Sequence, residues 1–281
     1  MPTLRRMIVG LLAANVVAVA AALYLSGVWF PVARASDPLL IFVHAGDVSS
    51  APENTLEAVL AAIEHGADGI EIDVDMSADG TWWLMHSGFN IGRRTTGTGD
   101  ISDLTDAEIE QLRIIGGLGY RPEMGDRYRI PRLSDVLDAV RDWDGWLYLH
   151  NKELTADAAR DLARIWADAP FAGKKGVICR TPEVVEATKV AAPELRTLMH
   201  TERGALPEAT AYLDVWLAAA RYIARPDVIA LRPYDVEMYM FFGEYGRDER
   251  IYIERAHRWG ARSFLTWDLA QAREIVAELE S

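Results

Sequence analysis

The chain has 281 residues, half of them hydrophobic and a quarter charged, which is the composition of a globular domain and not of a disordered or fibrous chain. Its 42 Asp and Glu against 29 Lys and Arg give a net charge of −13, which repels polyanions, so nucleic acid is not an expected partner. A single cysteine, Cys179, excludes an internal disulfide framework, a multi-cysteine zinc site and an iron–sulfur cluster.

In chain order, the first feature is the run from Met7 to Phe30, which carries no charged residue. A bilayer core takes about 20 such residues as a helix. Arg5 and Arg6 precede the run and only Arg34 follows it closely, a bias that puts the N-terminus in the cytoplasm and the remainder outside. The length of the run favours an uncleaved membrane anchor, with Trp29 and Phe30 at the interface. Ala33-Arg34-Ala35, however, has the small-x-small form of a signal cleavage site. On either reading, residues from about Ser36 onward work outside the cytoplasm: periplasmic or extracellular and anchored, or secreted if the segment is removed. Residues 1–36 are thus expected to hold the cytoplasmic N-terminus, the transmembrane or signal segment and a linker, with one barrel-sized domain over 37–281.

Short apolar runs then alternate with helical patterns. Strands are expected at Leu39–Val43, Gly69–Val74, Trp82–Met85, Trp146–Leu149, Gly176–Cys179, Leu195–Met199, Val228–Leu231 and Arg262–Leu265. Helices are expected at Asn54–His65, Asp103–Leu112, Leu133–Asp142, Thr155–Ala167, Pro182–Ala191, Glu208–Ala219, Arg247–Trp259 and Ala270–Glu280. Strands alternating with helices imply a covered parallel sheet, and about eight such units at this length suggest an α/β fold of the (β/α)₈ TIM barrel type. The alternative, an open doubly wound sheet, lacks a Gly-x-Gly-x-x-Gly turn after the first strand.

Four of the six histidines, His44, His86, His150 and His200, end apolar runs. In a parallel barrel such positions converge on the face that carries catalysis. His65 and His257 sit beside Gly66 and Gly260 at helix ends, where a cation is favourable. In Glu71-Ile72-Asp73-Val74-Asp75 the acidic side chains share one face of a strand. Glu71 and Asp73, directly after the strand start, should look into the barrel mouth. Adjacent buried carboxylates repel and are costly to desolvate, and a bound divalent cation such as Mg²⁺ or Ca²⁺ relieves both penalties. His150 and Lys152 point the same way, an imidazole able to complete a metal site and an ammonium able to hold a phosphate oxygen.

Taken together, these residues resemble the glycerophosphodiester phosphodiesterase family, TIM barrels related to phosphoinositide-specific phospholipases C. His44-Ala45-Gly46 followed by Pro52-Glu53-Asn54-Thr55 is similar to the family's His-Arg-Gly and Pro-Glu-Asn-Thr. Gly66-Ala67-Asp68-Gly69-Ile70-Glu71-Ile72-Asp73 resembles its metal-binding strand. Asp79-Gly80 with His86, Arg94-Thr95-Thr96-Gly97-Thr98-Gly99, Ile130-Pro131-Arg132-Leu133 and Lys152 follow in the family's order. The resemblance implies a metal-dependent phosphodiester hydrolase acting on a small-molecule or lipid-derived diester. It implies His44 and His86 as the acid–base pair, Glu71 and Asp73 as metal ligands, and Lys152 on the phosphate. Three positions depart from the family: Ala45 replaces an Arg, Ser87 an Asp and His150 a Glu. With His150 as third ligand the site loses one negative charge, which weakens Ca²⁺ and relatively favours Mn²⁺ or Zn²⁺. The departures also motivate a second reading, an anchored barrel that binds a ligand or partner without turnover.

Overall fold

The computed structural model describes residues 38–86, 90–201, 215–219, 237–241, 248–259 and 261–281. The apolar run 7–30 lies outside them, and among the described residues no helix is long and apolar enough to cross a membrane.

The elements run β1 (Leu40–His44), α1 (Leu56–Glu64), β2 (Gly69–Met76), β3 (Trp82–Leu84), α2 (Asp106–Gln111) and α3 (Leu133–Ala139). They continue with β4 (Trp146–His150), α4 (Ala156–Asp168), β5 (Lys174–Cys179), α5 (Pro182–Ala191), β6 (Arg196–Thr201), β7 (Val215–Ala219) and β8 (Glu237–Phe241). The last three are α6 (Arg250–Trp259), β9 (Ser263–Thr266) and α7 (Leu269–Glu280). Parallel pairing runs from β2 through β4, β5, β6, β7, β8 and β9 to β1, and the register of Phe42 with Gly69 and His44 with Glu71 closes the ring. Eight parallel strands therefore make the barrel, while β3 is an antiparallel appendage to β2.

The ring has the expected eight strands, but one expected strand is not in it and two of its strands were not expected. Trp82–Met85 counted as a barrel strand, whereas β3 pairs only with β2 as a hairpin arm. The helix expected over Glu208–Ala219 is corrected at its end: Val215–Ala219 is β7, paired with both β6 and β8. A short apolar run such as Val-Trp-Leu-Ala-Ala is ambiguous by periodicity, and the strand neighbours on both sides decide it. β8 was not anticipated, and the strand expected at Val228–Leu231 falls outside the described residues.

Local chemistry explains the helix starts. Thr55, Thr155 and Thr181 accept from the backbone N–H of Ala58, Ala158 and Val184, capping α1, α4 and α5. Thr105 and Glu108 form a capping box at α2. Inside the ring, Phe42, Tyr148, Ile178, Leu198 and Leu265 form a closed apolar plug. Two glycines make room for its rings. A Cβ on Gly69 would lie 2.2 Å from the Phe42 ring, and one on Gly176 would lie 2.2 Å from the Tyr148 ring. A larger apolar layer fills the space between strands and helices, and a third cluster (Trp83, Met85, Ile91, Ile101, Ile109 and Ile114 among its members) supports the segment between β3 and α3.

Candidate active site

The plug residues fix which side chains look into the mouth. Strand side chains alternate, so His44 follows Phe42 on the inner face of β1, Glu71 and Asp73 follow Gly69 on β2, and His150 follows Tyr148 on β4. The strand register sets His44 beside Glu71 and Asp73 beside His150. All four side chains are buried.

Their contacts form one cluster. His150 Nδ1 lies 3.0 Å from Glu71 Oε1 and 3.6 Å from Asp73 Oδ1, and His44 Nδ1 lies 3.6 Å from Glu71 Oε2. The loop after β1 locks two of these groups. Ala45 N–H donates to the Glu71 carbonyl at 2.8 Å. Asn54 donates from Nδ2 to Asp73 Oδ2 at 3.0 Å and accepts from Asp73 N–H at 2.9 Å. This loop turns through left-handed conformations at Ala45 (φ 57°) and Asn54 (φ 55°). A Cβ on Gly46, between them, would fall 2.7 Å from the Ala58 backbone.

His86 reaches the cluster by a different route from the other three histidines. The hairpin folds β3 back along β2, and Met85 N–H donates to the Asp73 carbonyl at 3.1 Å. His86 then meets Lys152 through Nε2, and Lys152 Nζ lies 3.9 Å from Asp73 Oδ1. An ammonium only donates, so His86 presents the Nε2 lone pair to it. Asn151 ties the loop that carries Lys152 to β2, donating to the Val74 carbonyl at 2.8 Å. Asp75 lies past this cluster, accepting from Asn151 at 3.2 Å, and burial pushes its carboxyl up. Ser87 falls outside the described residues.

Burial alone would push the Glu71 carboxyl up. The charges of His44 and His150, the hydrogen bond from His150 and the Lys152 ammonium outweigh it and hold the group well below the usual carboxylate range. Asp73 Oδ1 and His150 Nε2 are buried without a hydrogen-bond partner. Ligand atoms of Glu71, Asp73 and His150 all lie within 4.8 Å of one another. Two carboxylates, an imidazole and unpartnered buried donor atoms fit a divalent cation.

Trp267, Glu249 and Arg180, which no motif or spacing in the sequence marks, also border the cluster. The Trp267 indole covers the His44 imidazole, with ring centroids 3.8 Å apart. Trp267 is positioned by Glu249, which accepts from its backbone N–H at 3.3 Å and from the Thr266 hydroxyl. Burial, against those two hydrogen bonds, pushes the Glu249 carboxyl up to about 7. Across the mouth, Arg180 Nη1 lies 3.0 Å from His200 Nδ1. The long segment after β3 is anchored by Glu53, which accepts from Arg94 Nε at 2.8 Å and from Leu118 N–H at 2.9 Å. His65 does cap α1, but its ring is bound to Asp47 at 2.8 Å, a contact that spacing alone could not show. Cys179 is buried, as expected of a strand end.

A parallel barrel whose mouth gathers carboxylates, imidazoles and cations is the layout of a TIM-barrel enzyme site. The chain belongs to the glycerophosphoryl diester phosphodiesterase family, whose profile matches residues 44–266. It is 30% identical over 155 residues to human glycerophosphodiester phosphodiesterase 1, covering 55% of this chain and 46% of that protein. It is 37% identical over 105 residues to the glycerophosphodiester phosphodiesterase of Caldanaerobacter subterraneus subsp. tengcongensis, covering 37% of this chain and 42% of that protein. The chain thus spans about half the length of these curated relatives. Among solved structures, a putative glycerophosphoryl diester phosphodiesterase from Silicibacter pomeroyi DSS-3 superposes with a TM-score of 0.70 at 19% identity, covering 88% of this chain and 96% of that one. A phosphodiesterase from Oleispira antarctica, solved with the product sn-glycerol-3-phosphate, superposes with a TM-score of 0.71 at 17% identity, covering 86% and 97%. These likenesses support the fold.

Proposed function

We propose that this chain is a divalent-metal-dependent phosphodiester hydrolase that cleaves glycerophosphodiesters to an alcohol and glycerol 3-phosphate. The observation that carries this reading is the buried trio Glu71, Asp73 and His150, with two unpartnered ligand atoms, set between His44 and the His86–Lys152 pair. Glu71, Asp73 and His150 would hold the cation, which when bound supplies charge stabilisation to the phosphoryl oxygens. Mg²⁺, Mn²⁺, Ca²⁺ and Zn²⁺ are the ions to compare, the imidazole ligand favouring Mn²⁺ and Zn²⁺ over Ca²⁺.

The chain's own residues do the rest. Lys152 holds a phosphate oxygen. His44 and His86 handle the two protons, one leaving the attacking hydroxyl and one reaching the departing oxygen. Trp267 limits the rotation of the His44 ring through face contact. Glu71 and Asn54 hold the loop after β1 and the Asp73 carboxylate in register. The apolar run 7–30 would tether the barrel outside the cytoplasm, or direct its secretion if cleaved.

The test is hydrolysis of glycerophosphocholine by the full chain, first stripped with EDTA and then given each ion singly, beside His44→Ala and Glu71→Gln. Ion-dependent release of choline and glycerol 3-phosphate, lost in both variants, supports the reading. A folded, ion-loaded protein without turnover on this or related diesters would favour the second reading, a barrel that binds without catalysis. Ala45, Ser87 and His150 at the family's Arg, Asp and Glu positions motivate that alternative.

A further inference from the structure

The barrel mouth has a second wall that the cluster on β1, β2 and β4 does not use. On β5, Ile178 belongs to the apolar plug, so the next residue on the same face is Arg180. On β6, Leu198 belongs to the plug, and His200 follows it on the inner face. Arg180 and His200 thus follow the plug on β5 and β6, the two strands that continue the ring beyond β4, close enough for Glu71, His150 and Lys152 to act on the His200 imidazole. Their side chains meet at 3.0 Å. A guanidinium only donates, so His200 Nδ1 is the acceptor, and the imidazole fixes the direction of the Arg180 head.

We propose that Arg180, oriented by His200, binds the phosphoryl group of the substrate from the β5–β6 side of the mouth, next to the loop after β4 that carries Lys152. The inference rests on the phosphodiester reading above and adds the residue that recognises the anion. Glu71 and Asp73 cancel the two charges of a divalent cation, so Lys152 supplies the single surplus positive charge among these groups, and it also faces Asp73 Oδ1 at 3.9 Å. Arg180 adds a second cation for a phosphodiester anion. A guanidinium also offers a planar pair of donors to two phosphoryl oxygens, which an ammonium does not. The surroundings of His200 agree. Burial first, then Arg180, with His150 and Lys152 adding, hold this imidazole down at about 3. It therefore remains a neutral acceptor that does not compete for the anion.

The experiment uses the full chain with its ion restored, and compares wild type with Arg180→Gln, Arg180→Lys and His200→Ala. Two readouts are taken: the KM and kcat for glycerophosphocholine, and the binding of inorganic phosphate by calorimetry. Arg180→Gln is expected to raise KM about 10- to 100-fold and to weaken phosphate binding by a similar factor, the loss of one charge-assisted contact. Arg180→Lys recovers part of both. His200→Ala, which removes the orienting acceptor and leaves the charge, raises KM by a smaller factor. Unchanged thermal unfolding in Arg180→Gln separates the effect from misfolding. Wild-type turnover with an unaltered KM and phosphate affinity in Arg180→Gln would overturn the proposal. If the wild type binds phosphate without turnover, and Arg180→Gln weakens that binding, the anion site stands and the hydrolase reading falls.

Discussion

Glu71 and Glu249 are both buried near the rim of the same barrel, and their surroundings drive them in opposite directions. Burial raises each carboxyl. Around Glu71 stand His44, His150 and Lys152, and their charges and hydrogen bonds reverse the effect. Around Glu249 stand a hydroxyl, a backbone N–H and the acidic neighbours Asp248 and Asp268, and its carboxyl rises to about 7. Equal loss of water therefore does not set the charge of a buried acid; its partners do. The first glutamate is kept anionic beside unpartnered ligand atoms, as a cation site requires. The second tends toward neutrality and serves as a brace, holding Thr266 and Trp267 while the indole covers His44.

The comparison breaks most sharply at Glu71. Glu71→Gln keeps the shape but removes the charge that answers His44, His150 and Lys152. Turnover should fall by about 10³-fold or more, since several kcal/mol of transition-state stabilisation go with the metal. Calorimetric titration with Mn²⁺ should show a matching loss of affinity. Retained activity at wild-type ion concentrations would remove Glu71 from the metal site.

Glu249→Gln sharpens the other side, because its effect depends on pH. Below about pH 4.5 the carboxyl is neutral folded or unfolded and contributes nothing. Between pH 4.5 and about 7 the unfolded chain ionises while the folded one keeps its proton, so the wild type loses stability as pH rises. Above pH 7 the penalty is constant, at most about 3 kcal/mol. Glutamine carries no such penalty. Urea unfolding should show the variant gaining on wild type between pH 4.5 and 8, and a difference that does not vary with pH would refute the raised carboxyl. Asn54→Ala tests the scaffold beneath Glu71: with both bonds to Asp73 gone, cation affinity should drop about 10- to 100-fold while the barrel stays folded.

The same contrast explains what could be read without coordinates. The Glu71 cluster was legible because its members lie at strand ends, at period-two spacing, between residues 44 and 152. Alternation put Glu71 and Asp73 on one face, their place directly after the strand start pointed that face into the mouth, and the apolar runs located six of the eight barrel strands. The Glu249 cluster was not legible. Glu249 precedes a helix, Thr266 ends a strand, and neither position has a pattern that separates a braced carboxylate from a solvated one. Trp267 lies 223 residues from His44, a contact that only closure of the ring between β9 and β1 creates. Asn54 was visible as a motif residue, but its two bonds to Asp73 follow from a left-handed turn that sequence spacing does not encode. The failed helix at 215–219 has the same origin, since pairing with β6 and β8 overrides an apolar run of either period.

The smallest effect is the most discriminating for the brace. The Thr266 hydroxyl donates to Glu249 Oε2, a bond that favours the ionised carboxyl and partly opposes burial. Thr266→Val deletes the donor and keeps the branched shape. The Glu249 carboxyl should then rise further above 7, so the variant should lose about 1 kcal/mol more at pH 8 than at pH 5. In Glu249→Gln the same valine change should lose that pH dependence, because no ionising group is left for the hydroxyl to stabilise. A pH-dependent cost that persists in the double variant would mean that Thr266 acts elsewhere, and that Glu249 and Trp267 are held by packing and not by this hydrogen bond.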